Sequence, residues 1–133
     1  MAPQLSKGVE LIEEVAGEGA AAVKGCRIRY AARVFLSRGD EVTRDAELIA
    51  KDSAYLKTKI IDGVELALHA IQLGKRQTIA GIEKALLGMA EGGYREVRIA
   101  PHLAYGENGV PGSIPPGAIL RVKLWLVRIE SAI

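Results

Sequence analysis

The feature that most constrains this chain is the stretch of residues 100–117, which is rich in both proline and glycine. Four of the five prolines lie between Pro101 and Pro116. Because proline restricts φ and glycine tolerates positive φ, this combination predicts a loop of defined shape instead of random coil. The loop also carries apolar side chains, which predicts that it lines a pocket as well as connecting strands. These side chains are Leu103, Tyr105, Val110 and Ile114.

The composition indicates one globular domain. The chain has 133 residues, 49% of them apolar and 26% charged, which is ordinary for a protein with a buried core. A net charge of +2 gives no indication of a nucleic-acid partner. The single cysteine, Cys26, excludes an internal disulfide and fits a reducing compartment. Without a signal peptide or an apolar run of membrane-spanning length, we expect a cytoplasmic protein with no membrane partner.

Strand patterns dominate the chain after a loose leader over residues 1–7. Alternation is clearest in residues 26–36, where every second side chain is apolar and Arg27, Arg29 and Arg33 face the other way. Asp62-Gly63 predicts a hairpin turn. Further strands are predicted over residues 9–15, 94–100 and 118–129, and a turn over residues 17–19.

One helix is predicted, over residues 78–89. Its apolar side chains follow helical spacing, and Gly92-Gly93 is expected to end it; these side chains are Ile82, Ala85, Leu86 and Met89. One short helix among many strands predicts an α+β fold, with a mostly antiparallel sheet against the helix. We expect a single domain over residues 1–133.

Two motifs resemble the signature of FKBP-type peptidyl-prolyl cis-trans isomerases. Residues 88–106 read G-M-A-E-G-G-Y-R-E-V-R-I-A-P-H-L-A-Y-G, and residues 111–120 read P-G-S-I-P-P-G-A-I-L. The resemblance covers residues 70–130 well and residues 8–42 weakly. It implies a curved antiparallel sheet wrapped around one short helix, with an apolar pocket between them and neither cofactor nor metal. It also implies an isomerase of X-Pro bonds that acts in protein folding on proline-containing peptides or unfolded segments.

The resemblance also implies the site residues. Tyr105, Ile79 and Tyr30 would be catalytic, with the Tyr105 hydroxyl and the Ile79 N–H holding substrate carbonyls. Ile82 would form the pocket floor. The implied substrate-binding positions are Val42, Thr43, Ile71, Thr78, Ile82, Ile114 and Val122.

Several of these positions depart from the family pattern. The family usually has tryptophan at Ile82, aspartate at Thr43, and phenylalanine at the other three departing positions, which are Val42, Ile71 and Val122. Aliphatic side chains offer less contact area, so we expect a wider pocket, weaker catalysis and weak binding of macrolide-type inhibitors. The departures leave an alternative open, a non-catalytic peptide-binding or chaperone-like module on the same fold.

Other features have more than one interpretation. The segment of residues 45–68 is longer than the corresponding segment of compact family members. The additional length predicts an added hairpin or helix. Trp125 faces outward and marks either an oligomer interface or a patch that this insertion covers. The arginine stripe of residues 27–33 has two interpretations, a solvated strand face and a surface that binds an acidic partner. We favour the solvated strand face. His69 and His102 lie too far from other ligand types to predict a metal site.

Overall fold

The structure is a computed structural model that describes residues 4–42 and 57–131. This part of the chain forms nine strands and one α-helix. In chain order they are β1 (Gln4–Ser6), β2 (Val9–Val15), β3 (Glu18–Ala21), β4 (Arg27–Leu36), β5 (Lys57–Ile61), β6 (Val64–Gln72), α1 (Ala80–Leu86), β7 (Ala90–Glu91), β8 (Tyr94–Ile99) and β9 (Leu120–Ser131), with a 3₁₀ turn at Pro101–Leu103.

Seven strands form one antiparallel sheet in the order β1-β2-β8-β9-β4-β6-β5, and β3 pairs with β7. Helix α1 lies against one face of this sheet, close to β8 and β9. We call this the inner face and the opposite one the outer face. The arrangement confirms the predicted fold class, a mostly antiparallel sheet with one short helix against it.

The alternation seen in the sequence sets the register of the central strands. Val34 of β4 pairs with Val122 of β9, which pairs with Val97 of β8, so three valines form one row across the inner face. All three are at most 1% exposed. Because side chains alternate between the faces of a strand, this row places the neighbouring charged residues on the outer face.

Helix α1 packs closely on β8 because one of its residues has no side chain. A Cβ on Gly81 would overlap the Ile99 side chain. Gly81 is therefore required by the approach of the two backbones, which fixes the distance between the helix and the sheet. Ile82, the next residue, is fully buried as a result.

Three elements differ from the sequence predictions. Helix α1 ends at Leu86, not at Gly92-Gly93, because Leu87 is extended (ψ 131°) and Gly88 has φ +89°. The leader predicted as loose contains strand β1, whose Gln4 pairs with Glu10 of β2. The turn predicted over residues 17–19 is part of β3, since Glu18 pairs with Glu91. Short strands such as β1 and β3 are too brief for alternation to show.

The predicted hairpin is confirmed. Strands β5 and β6 are joined by Asp62 and Gly63, with φ values of +51° and +79°. Positive φ at both positions is typical of a two-residue hairpin turn. The hairpin accounts for residues 57–68 of the expected insertion, whereas residues 45–56 and Thr43 lie outside the described residues.

Candidate active site

The proline- and glycine-rich loop holds one defined conformation, as its sequence predicts. Val110 and Ile114 exchange two backbone hydrogen bonds of 2.8 Å. Gly109 has φ +62°, and a Cβ there would overlap the backbone of Ile114. The loop thereby presents Ile114 and Tyr105 to the apolar core, and it is not merely a connection between strands.

Tyr105 carries a buried hydroxyl that has no hydrogen-bond partner in the described part of the chain. The side chain packs against the apolar core, and burial raises the pKa of its phenol to about 12. Buried polar groups are nearly always hydrogen-bonded, so an unpaired one requires an explanation. A neutral donor held in apolar surroundings is suited to bind a carbonyl oxygen of a ligand.

Tyr30 lies in a different environment although its side chain is also buried. Its hydroxyl donates to Oγ1 of Thr78 over 3.2 Å, and its ring centroid lies 5.1 Å from that of His69. Tyr30 is 0% exposed, and this burial raises the pKa of its phenol above the usual range. The Tyr30 hydroxyl is therefore already engaged within the protein.

Ile79 is the residue immediately before α1 and has an extended backbone, with φ −62° and ψ 148°. Its carbonyl accepts hydrogen bonds from Ile82 and Glu83 over 3.1 and 3.2 Å. No residue in the described part of the chain accepts a hydrogen bond from the Ile79 N–H. The two donors expected to hold substrate, this N–H and the Tyr105 hydroxyl, are thus both without an internal acceptor there.

The predicted site residues converge, with the exception of Thr43, which lies outside the described residues. Tyr30 and Thr78 are joined by their hydrogen bond. Val42 and Tyr105 are half-buried at the edge of the apolar cluster. The predicted site residues among the buried members of that cluster are Tyr30, Ile71, Ile79, Ile82, Ile114 and Val122.

This cluster is closely packed. Tyr30, Ile82 and Val122 are 0% exposed. The described surface includes concavities of about 100, 140 and 300 Å³ that Tyr105 does not line, and Ile71 lines the one of about 300 Å³. Ile82, the expected floor of the pocket, is thus fully buried.

His69 is a site residue that the sequence reasoning missed, because it was considered only as a metal ligand. It is 2% exposed, and it pairs with Tyr30 in the register of β4 and β6. Burial lowers the pKa of its imidazole to about 4, so the ring is neutral at pH 7. Strand alternation offered the signal, since His69 is two positions before Ile71 and shares its face of β6.

The outer face explains the arginine stripe. Arg33 forms two hydrogen bonds with Glu41, of 2.7 and 2.8 Å, and Arg29 pairs with Glu130 over 3.0 Å. Arg27 is exposed. Two of the three arginines are thus ion-paired within the chain, which favours the interpretation as a strand face over an acidic partner.

Trp125 is half-buried on the outer face, where its ring lies 5.1 Å from that of Tyr94. Burial raises the pKa of Tyr94 to about 12, with smaller effects from the carboxylates of Glu96, Glu13 and Asp62.

Two kinds of feature, a metal-binding cluster and a membrane-spanning helix, are absent from the described residues. These residues include no group of three or more His, Cys, Asp or Glu side chains that could hold a metal ion. They also include no helix with the length and apolar character needed to cross a bilayer.

Comparison with known proteins places this geometry in a family. The sequence model of the FKBP-type peptidyl-prolyl cis-trans isomerases matches residues 32–126. Peptidyl-prolyl cis-trans isomerase FPR2 of Saccharomyces cerevisiae is 44% identical over 63 residues, which are 47% of each chain. Peptidyl-prolyl cis-trans isomerase FKBP9 of Rattus norvegicus is 47% identical over 60 residues, 45% of this chain and 10% of that protein.

The chain therefore spans from a tenth to about half of the length of these curated relatives. Among solved structures, the N-terminal domain of FKBP42 from Arabidopsis thaliana has the same fold, with a TM-score of 0.72. That match covers 98% of this chain and 93% of the other at 18% identity. Since the family model matches well over half of the sequence, the chain belongs to the FKBP-type peptidyl-prolyl cis-trans isomerase family.

Proposed function

We propose that the protein is a peptidyl-prolyl cis-trans isomerase that rotates X-Pro bonds at the apolar cluster beside Tyr105. The observation that carries this proposal is the buried Tyr105 hydroxyl, which has no hydrogen-bond partner among the described residues. A substrate carbonyl oxygen would satisfy it. The Ile79 N–H, which has no acceptor among the described residues, is the second donor.

The chemistry needs no nucleophile. Rotation about the C–N bond faces a barrier of about 18–20 kcal/mol because the planar amide has partial double-bond character. The twisted transition state has lost this resonance and is less polar than the planar form. Apolar surroundings without water therefore favour the twisted form, while the two donors hold the neighbouring carbonyls. The substrates are proline-containing peptides or unfolded protein segments.

We further propose that the activity is weak. Ile82 and Val122 are fully buried and aliphatic, so substrate entry must displace packed side chains before the proline contacts the floor. The free energy of that displacement opposes binding. Macrolide-type inhibitors, which are larger than a proline ring, are expected to bind poorly for the same reason.

A second candidate function is a peptide-binding or chaperone-like module without useful catalysis. The observation that favours it is the closed floor, because a ligand could bind the half-buried edge at Val42 and Tyr105 without its proline reaching Ile82. Such binding would hold an extended segment yet leave the rate of X-Pro rotation unchanged.

The test is a protease-free assay of refolding with a substrate limited by one X-Pro bond. Wild type, Tyr105→Phe and the outer-face control Tyr94→Phe are compared at micromolar concentration, with peptide binding measured by calorimetry. Acceleration by wild type and by Tyr94→Phe, reduced in Tyr105→Phe, supports the isomerase. Peptide binding without acceleration supports the second candidate, and absence of both refutes the two proposals.

A further inference from the structure

We propose that the hydrogen bond between Tyr30 and Thr78 is a positioning device that sets the direction of the Ile79 N–H. Tyr30 then acts through Thr78 and not by binding substrate with its hydroxyl. This inference deepens the proposed function and rests on it for its effect on catalysis. Its structural part, the control of the Ile79 amide by Tyr30, can be tested without any activity.

The first step is the state of the Tyr30 hydroxyl. It donates to Thr78 over 3.2 Å at a residue that is 0% exposed. A hydroxyl has one proton to donate, and here Thr78 Oγ1 accepts it. Using it for a substrate carbonyl would break a buried hydrogen bond. The Tyr105 hydroxyl, which has no partner, has no such bond to lose.

The second step is covalent geometry. The C=O of Thr78 and the N–H of Ile79 belong to the same planar peptide unit. The direction of the Ile79 N–H is therefore the direction of the Thr78 peptide plane. This plane turns about the line from the Cα of Thr78 to the Cα of Ile79, so a contact that holds the Thr78 side chain fixes one end of that axis. The hydrogen bond from Tyr30 is a buried contact of this kind.

The third step is the way in which the connection between β6 and α1 is held. Gln77 Oε1 accepts from the Gln72 N–H over 2.7 Å, and Glu83 Oε2 accepts from the Gly74 N–H over 2.9 Å. Both bonds fix the early part of the connection. Ile79 itself has no side-chain cap. The bond from Tyr30 reaches the residue directly before Ile79, and it links this end of the connection to a central strand.

The fourth step is the rigidity of Tyr30. Its ring is 0% exposed, its ring centroid lies 5.1 Å from that of His69, and its backbone pairs with His69 in β6. A hydroxyl on so constrained a ring is a fixed reference point. Tyr30 therefore links the sheet to the chain just before α1 and holds the two in a fixed relative position.

The experiment compares Tyr30→Phe, Thr78→Val, their double variant and the conservative Thr78→Ser. Each is examined by amide NMR of Ile79 and by the refolding assay, with Tyr94→Phe as the control for loss of a tyrosine hydroxyl. We expect Tyr30→Phe to shift the Ile79 amide resonance and speed its hydrogen exchange. We expect about threefold to tenfold losses of kcat/KM in Tyr30→Phe and Thr78→Val, below the ~10²-fold that a misplacement of about 1 Å can cause.

Since Tyr30→Phe removes only a bond that Thr78→Val also removes, the double variant should lose no more kcat/KM than Thr78→Val alone. Thr78→Ser keeps the hydroxyl and should lose less kcat/KM than Thr78→Val. If Tyr30→Phe only lowers stability, with the Ile79 amide and kcat/KM of the folded protein unchanged, the positioning role is wrong. If wild type shows no isomerase activity, the proposed function fails. The NMR signal of the Ile79 amide then tests the positioning role by itself. A shift in Tyr30→Phe then supports the positioning role, and an unchanged resonance overturns it.

Discussion

The two faces of the central strands are built from alternate residues of the same segments, yet they have opposite chemistry. The inner face of β4, β8 and β9 is apolar and contains the row Val34, Val122 and Val97. The outer face carries charged side chains, and three cations (Arg33, Arg121 and Lys123) surround the ring of Phe35 at 5.2–5.5 Å. One-residue alternation is enough to separate them.

The difference shows where stability and function are sensitive to change. Partly exposed ion pairs such as Arg33–Glu41 contribute little, because solvent screens them. Buried groups have no solvent to replace a lost contact. On the inner face, each apolar side chain and each hydroxyl therefore has a large effect, and the candidate site is built from these groups.

The largest expected effect is the loss of the floor side chain. Ile82→Ala should lower the free energy of unfolding by about 2–5 kcal/mol, because Ile82 is 0% exposed and the change leaves a cavity. Urea unfolding followed by Trp125 fluorescence measures this. The control is Ile12→Ala, at a residue that is 38% exposed, which should change stability by about 0.5 kcal/mol or less. Equal effects of the two substitutions would contradict a packed floor.

A pH effect should follow from His69. Its folded pKa of about 4 lies below the usual histidine value of 6.5, so the unfolded chain binds the proton more readily between these values. This contribution to stability is complete above pH 6.5 and is lost as the pH falls to about 4. The loss should be up to about 3 kcal/mol.

Urea unfolding at pH 7.5, 5.5 and 4.5 measures this loss. His69→Phe, which cannot take up a proton, should show a smaller slope over the same range. Glu41, whose pKa the Arg33 hydrogen bond lowers, loses its contribution only at more acidic pH. An unchanged slope in His69→Phe would show that another group is responsible.

The two tyrosines of the candidate site, Tyr30 and Tyr105, should respond differently to loss of the hydroxyl. Tyr105→Phe should lower kcat/KM about tenfold, the effect of roughly 1.4 kcal/mol in transition-state binding, without lowering stability. Tyr30→Phe should lower the free energy of unfolding by about 1 kcal/mol, because its hydrogen bond to Thr78 is lost. Refolding assays and urea unfolding on both variants test this. The contrast fails if Tyr105→Phe destabilises the protein as much as Tyr30→Phe.

The smallest effect is expected on the outer face. A double-mutant cycle of Arg33→Ala and Glu41→Ala should give a coupling of about 0–1 kcal/mol, since both side chains are about a quarter exposed. Urea unfolding at low salt and at 1 M salt measures it, and the coupling should decrease at high salt. A coupling above about 2 kcal/mol that salt does not affect would show that the two faces differ less than proposed.

Much of the fold could be predicted because its signals are local. The alternation in residues 26–36 and 118–129 predicted β4 and β9, and Asp62-Gly63 predicted the hairpin turn. The end of α1 was missed because it depends on the backbone of Leu87 and Gly88, where the chain leaves the helix before its apolar pattern ends. Strand β1 was missed because three residues are too few to show a period.

The candidate site could be predicted only as a set of residues. Their positions came from the resemblance to the family, and the structure brings those it describes together. The partner of Tyr30 could not be predicted, because Tyr30 and Thr78 are 48 positions apart and join only through the pairing of strands. The role of His69 was missed for the same reason, since its neighbour Tyr30 lies on another strand.

The sequence by itself determined which segments become strands, where the chain turns and which side chains are apolar, because these depend on neighbouring residues. Only the tertiary structure decided that Tyr30 has a partner while Tyr105 has none among the described residues, and that Ile82 is fully buried. Hydrogen bonds and burial at these positions depend on residues far apart in the chain. Two tyrosines that look equivalent in the sequence therefore differ because the fold places an acceptor beside only one of them.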